Sequence, residues 1–171
     1  MIMDDKKKIY AFGDNRYGQL GITGLDAVLL NHPAGIQTFL KKVRDFSVGE
    51  DHSAYIDEQG NVYTWGVGSS GQLGHGDRAS HAFPKKVDLD FKVKLVACGG
   101  AHTAFVSEDN VIYMCGRGRD GQQGQTQLRS VSADRLTPAA LDRFTDSKSR
   151  KEGVVEAVAL GSNHTLAYIS F

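Results

Sequence analysis

Val62-Tyr63-Thr64-Trp65-Gly66, a short apolar stretch closed by glycine, leads after four residues to Gly71-Gln72-Leu73-Gly74. The same compound motif precedes it as Ile9-Tyr10-Ala11-Phe12-Gly13 with Gly18-Gln19-Leu20-Gly21. It follows again as Ile112-Tyr113-Met114-Cys115-Gly116 with Gly121-Gln122-Gln123-Gly124. The closing glycines Gly13, Gly66 and Gly116 stand 53 and 50 residues apart. A second motif alternates with the first: Val48-Gly49-Glu50-Asp51-His52-Ser53, Cys98-Gly99-Gly100-Ala101-His102-Thr103 and Leu160-Gly161-Ser162-Asn163-His164-Thr165. Its histidines His52, His102 and His164 step by 50 and then 62 residues, so the last copy carries an insertion, placed at about 125–152. A repeat of this period marks a modular architecture in which each unit stacks on its neighbours.

Each His-Ser/Thr stretch is followed by a polar turn and then by the next aromatic stretch. Asp57-Glu58-Gln59-Gly60-Asn61 and Ser107-Glu108-Asp109-Asn110 supply the Gly, Asn and Asp that a hairpin needs. A further apolar run, such as 91–97, brings the count to about four short strands per repeat, without convincing helical periodicity. Four antiparallel strands per unit make a propeller blade. The expected fold is therefore all-β: a partial β-propeller of three four-stranded antiparallel blades. It would span residues 9–171, with repeats at about 9–56, 62–106 and 112–170, behind a polar tail at 1–8.

The pattern Gly-x-x-His-Ser/Thr, a turn, Tyr-x-Trp-Gly and Gly-Gln-Leu-Gly resembles the repeat of the regulator of chromosome condensation family, over essentially the whole of 9–170. It departs from it where Phe12 and Cys115 stand in place of Trp65, and where Gln123 replaces leucine. The resemblance implies a propeller that docks proteins through its loops, in a family whose rings generally have seven blades. The family's name-giving member is a guanine-nucleotide exchange factor for a Ran-like small GTPase, and chromatin binding is a third reading that the resemblance carries. Three repeats do not close such a ring. The aromatic stretch at Ile9 lacks a His-Ser/Thr stretch before it, and the stretch at His164 lacks an aromatic one after it. Unpaired strands of that kind recruit partners. Another subunit, a longer chain, or a second copy joined head to tail as a homodimer would each complete the arc.

Twenty Lys and Arg balance twenty Asp and Glu, so no global field attracts nucleic acid or an anionic membrane. The insertion, with six basic against four acidic residues over 129–152, is too mildly charged to alter this. Nucleic acid is an unexpected partner. No apolar run has the length of a membrane-spanning helix, and Met1 to Lys8 lacks the apolar core of a secretory signal. Cys98 and Cys115 read as reduced core thiols of an intracellular protein, cytoplasmic or nuclear. Two segments, 66–71 and 116–121, match Gly-x-Gly-x-x-Gly, yet neither is followed by residues able to start the helix a dinucleotide site needs. The repeating histidines have no second ligand at i+2 to i+4. They read as scaffold groups that bond backbone near the inner edge of a blade, with the adjacent Ser or Thr assisting. No catalytic, cofactor or metal site is expected.

Specificity in propellers sits in variable loops. Arg16 and Tyr17, Arg78, and Arg117, Arg119 and Asp120 occupy such loops, and Arg and Tyr are enriched in binding hot spots. They are the candidate partner-binding residues. Gly13, Gly66, Gly116, Trp65 and the three histidines are the candidate structural positions.

Overall fold

The computed structural model describes residues 1–22, 24, 28–36, 42–124, 133–141, 144 and 151–171. Its thirteen strands run in chain order as β1 (Ile2–Met3), β2 (Ile9–Asp14), β3 (Leu29–Gly35), β4 (Val43–Val48), β5 (His52–Asp57), β6 (Val62–Gly66), β7 (His81–Lys86), β8 (Val93–Cys98), β9 (His102–Ser107), β10 (Ile112–Gly116), β11 (Arg135–Ala140), β12 (Val154–Leu160) and β13 (Thr165–Ser170). They form four antiparallel sheets in the orders β1-β2-β3, β4-β5-β6-β7, β8-β9-β10-β11 and β12-β13. No helix occurs among the described residues.

The expected all-β arc of four-stranded antiparallel blades is present, and the repeats are distributed over it in a particular way. Each four-stranded sheet is centred on a hairpin that joins one repeat to the next: β5 with β6, and β9 with β10. Three repeats thus fill two complete blades and leave a part-blade at each end. Residues 1–8 include β1, which pairs Ile2 with Tyr10 and Met3 with Ile9 on the β2 edge. The 125–152 segment includes β11, the outer strand of the second full blade. Of its charged residues, Arg129, Asp142, Arg143, Asp146, Lys148 and Arg150 lie outside the described residues.

Local chemistry accounts for the hairpins. In the first turn the Asp57 carboxylate accepts from the Gln59 and Asn61 amides at 3.0 and 2.9 Å, while Gly60 takes a left-handed conformation at φ 74°. In the second, Asn110 occupies the Gly60 position at φ 64°, a conformation asparagine tolerates better than most residues. The closing glycines meet a stronger demand. Gly66 has φ +100°, and a Cβ there would sit 2.7 Å from His52 Cα and closer still to the Asp51 carbonyl.

Sheets stack face to face, and apolar side chains fill the three gaps between the four of them. Ile9, Ala11, Leu20, Tyr55 and Trp65 fill the first; Ala54, Ile56, Cys98, Phe105 and Cys115 the second; Ala104, Val106, Met114 and Val155 the third. Central strands are therefore covered on both faces. β5 and β9 are buried at every position, whereas the outer strand β7 is exposed at most of its positions. Cys98 and Cys115 are free and buried, and burial pushes the Cys98 thiol up to about 12.

Candidate functional site

The Gly-Gln-x-Gly loops fold alike. In each, the glutamine side chain accepts from the backbone amide two residues earlier: Tyr17 to Gln19 at 3.0 Å, Ser70 to Gln72 at 2.9 Å, Asp120 to Gln122 at 2.9 Å. That bond holds the loop so that the glutamine carbonyl faces the following blade. There the Ser53 hydroxyl donates to Gln19 O at 2.9 Å, Thr103 to Gln72 O at 2.6 Å and Thr165 to Gln122 O at 2.8 Å.

The histidines grip the same hydroxyls from the other side. His52 Nε2 lies 2.8 Å from Thr103 Oγ1, and His102 Nε2 lies 3.2 Å from Thr165 Oγ1. Thr103 has one hydroxyl proton, committed to Gln72, so it accepts from His52 and the Nε2 nitrogen carries the proton. A hydroxyl of the next blade is thus a partner of each histidine, and His102 also meets the backbone of His164. Successive residues point to opposite faces of a strand, so His52 faces forward while its neighbour Ser53 faces back to Gln19. Gly49 and Gly99 leave room for the rings, since a Cβ there would sit 2.7 and 2.5 Å from Cε1 of His52 and His102.

Burial holds His52 neutral, driving its pKa down to about 3, and neighbouring His102 adds to the effect. His102 is shifted down too, again chiefly by burial. Because the folded value lies below the unfolded one of 6.5, the unfolded chain binds more protons in acid. The stability contributed by neutral histidine is complete above about pH 6.5 and is lost as pH falls towards 3. The unfolding free energy is expected to drop between neutral pH and about pH 5, by up to about 1.4 kcal/mol per pH unit for each histidine fully titrating on unfolding, and the urea midpoint to fall with it. A midpoint that holds flat over that range would contradict the assignment.

The candidate loop residues lie on the turns after the aromatic strands, so the repeat carries them to one edge of the arc. Arg16 is exposed, bonds Asp14 through Nε at 2.7 Å and sits 5.9 Å from the Tyr17 ring centroid. That guanidinium holds the Asp14 carboxyl below the usual carboxylate range. Arg117, Arg119 and Asp120 are exposed on the equivalent loop two blades further on. Arg78 is differently placed. It donates to Ser69 O at 2.6 Å and pairs with Asp134 at 3.0 Å, tying its loop to the neighbouring blade. The structure therefore groups the exposed residues into two loops, one built on Arg16 and Tyr17 and the other on Arg117, Arg119 and Asp120. The glutamine–threonine clamp was not read as a unit from sequence, although the glutamine recurs in all three Gly-Gln-x-Gly copies.

Repeated antiparallel sheets stacked through apolar layers make this chain a β-propeller repeat protein. The model of the regulator of chromosome condensation (RCC1) repeat matches residues 8–56 and 59–106, and a second RCC1 repeat model matches 43–72 and 93–122. The chain belongs to the RCC1 repeat family. It is 37% identical over 94 residues to human E3 ubiquitin-protein ligase HERC2, covering 53% of this chain and 2% of that protein. It is 32% identical over 114 residues to human Protein RCC2, covering 52% of this chain and 22% of that one. Its fold matches Saccharomyces cerevisiae Prp20p, a protein characterised for binding to Gsp1p and histones, with a TM-score of 0.81 and 20% identity. That match covers 98% of this chain and 40% of Prp20p.

Proposed function

We propose that the chain is an intracellular protein-interaction module that docks its partner through the loops on one edge of the propeller arc. The observation that carries this reading is the pair of exposed, arginine-bearing loops at equivalent repeat positions, Arg16-Tyr17 and Arg117 to Asp120, on a rigid scaffold. Arginine and tyrosine combine a large contact area with directional donors, which suits them to anchor a protein interface. Affinity capture with the wild-type chain and with an Arg117→Ala/Arg119→Ala variant tests it. The double variant is expected to keep the wild-type circular dichroism spectrum and to bind at least tenfold more weakly, the loss of a typical hot spot. Equal binding by both baits would remove these loops from the interface.

A second reading, nucleotide exchange on a Ran-like small GTPase, draws on the fold likeness to Prp20p. Exchange is expected to appear as faster release of labelled GDP from one member of a GTPase panel. Release at the spontaneous rate across the panel would leave the docking reading alone. The balanced charge of the chain does not favour chromatin as the ligand.

A further inference from the structure

The two exposed arginine loops differ in how their charge is met. Arg117, Gly118, Arg119 and Asp120 follow Gly116 as Asp14, Asn15, Arg16 and Tyr17 follow Gly13, so Arg117 stands at the Asp14 position and Arg119 at the Arg16 position. In the first loop the guanidinium is neutralised from within the chain. Arg16 Nε donates to Asp14 Oδ2 at 2.7 Å, and the Arg16 backbone amide donates to Asp14 Oδ1 at 2.9 Å. That bonding to Asp14 raises the Arg16 pKa, and the charge of Asp51, in the Gly-x-x-His loop of the next blade, adds to it.

Around the Arg117 loop those acidic positions are changed. Arginine replaces Asp14, and in the Gly-x-x-His loop of the following blade Ser162 and Asn163 stand where Glu50 and Asp51 stand beside the first loop. The setting is otherwise repeated. Arg117 N donates to Ala101 O at 2.8 Å, Gly100 N to Gly161 O at 3.2 Å and Thr165 Oγ1 to Gln122 O at 2.8 Å, which seats residues 161–163 beside the arginine loop. Arg117 and Arg119 are exposed, and neither guanidinium has an ion pair or hydrogen bond among the described residues. Asp120, the carboxylate of this loop, pairs with neither. Two cations two residues apart repel each other, and an anion held between them turns that repulsion into attraction.

We propose that the Arg117–Arg119 loop, with Ser162 and Asn163 as neutral donors beside it, binds an acidic segment of the protein partner. Two carboxylates of that segment take the places that Asp14 and Asp51 hold around Arg16. The proposal rests on the reading that these loops dock a partner, and it names the chemistry of what is docked. A carboxylate-bearing segment is the favoured occupant because carboxylates are what the same scaffold sets around the arginine of its first copy. A guanidinium fork also takes a carboxylate through two parallel N–H···O bonds, which fixes its orientation as well as its charge. The Arg16 loop, its charge already met, is not a second anion site.

Fluorescence anisotropy with a short labelled peptide of alternating Glu and Ser, and with its Gln-Ser counterpart, tests this on the whole chain. The Glu peptide is expected to bind at least about tenfold more tightly than the Gln peptide, and to weaken as salt is raised. Arg117→Asp recreates the Asp14–Arg16 pairing and Asn163→Asp recreates Asp51, so each is expected to weaken the Glu peptide at least about tenfold. Lys86→Ala, which removes an exposed cation of the outer strand β7, is expected to leave binding within about twofold. All three side chains are exposed, and the variants are expected to keep the wild-type circular dichroism spectrum. Equal binding of the two peptides, or an Arg117→Asp chain that binds like wild type, would overturn the proposal. A Gln-Ser peptide carrying two phosphoserines that binds at least about tenfold more tightly than the Glu peptide would overturn it too, and assign the loop to a phosphorylated segment. If the Glu peptide fails while the Arg117→Ala/Arg119→Ala variant still loses its captured partner, docking stands and its acidic chemistry falls. Capture unaffected in that double variant removes the loop from the interface, and the proposal with it.

Discussion

Replacing Trp65 with alanine is expected to cost about 3–5 kcal/mol of unfolding free energy, the range for deleting a fully buried large aromatic. Trp65 is fully buried in the gap between the first two sheets. Its ring meets Tyr55 edge-on at a centroid distance of 5.9 Å, and its indole N–H satisfies the Gln19 carbonyl. Alanine removes the apolar contact, the hydrogen bond and the wedge between the two sheets at once. The surrounding strands are held by their ladders and cannot collapse into the space. Trp65→Phe is the graded control, since phenylalanine stands at this repeat position in Phe12. It keeps most of the ring and loses mainly the donor, a cost of about 1–2 kcal/mol together with its small volume change. Urea unfolding followed by circular dichroism measures both. A loss below about 1 kcal/mol for the alanine variant would contradict the packing described.

Thr103→Val is expected to be nearly as damaging, although it changes neither volume nor branching. The hydroxyl of Thr103 is fully buried and serves two groups, accepting from His52 and donating to Gln72 O. Valine leaves His52 without its partner in a dry site and leaves the Gln72 carbonyl only the weaker Cys115 thiol at 3.4 Å. A stranded polar group costs about 1–3 kcal/mol and the weakened carbonyl adds to it, so the substitution should remove roughly 2–4 kcal/mol. Ser53→Ala at the equivalent position should cost clearly less. There the Gln19 carbonyl keeps the Trp65 indole as a donor, and no imidazole depends on the hydroxyl among the described residues. A double-mutant cycle between His52→Ala and Thr103→Val should show a coupling within about 0.5–3 kcal/mol, as for residues in direct contact. Equal losses at Ser53 and Thr103 would mean that the histidine adds nothing to the clamp.

Much of the scaffold was legible in the residues. Turn chemistry at Asp57 to Asn61 and Ser107 to Asn110 placed the hairpins, because those positions need left-handed backbone and local carboxylate or hydroxyl acceptors. The closing glycines Gly66 and Gly116 marked close backbone approach, and the structure finds backbone there. The family followed from the compound motif, which recurs three times at near-constant spacing. The candidate loops were harder to judge. Arg78 and Arg117 look alike as loop arginines, yet one is engaged with Ser69 and Asp134 while the other projects outward. That difference depends on which loop of the next blade lies alongside, and no local pattern carries it.

The repeat itself determined that this chain is all-β, modular and built on recurring His, Gln and Gly positions, because hairpins and tight turns are decided by residues close in sequence. Only the tertiary structure decided how the repeats are cut into sheets, two of four strands flanked by one of three and one of two. It also decided what the histidines do. Their partner hydroxyls lie 51 and 63 residues away, on the next blade, and a contact of that separation exists only once the blades are stacked.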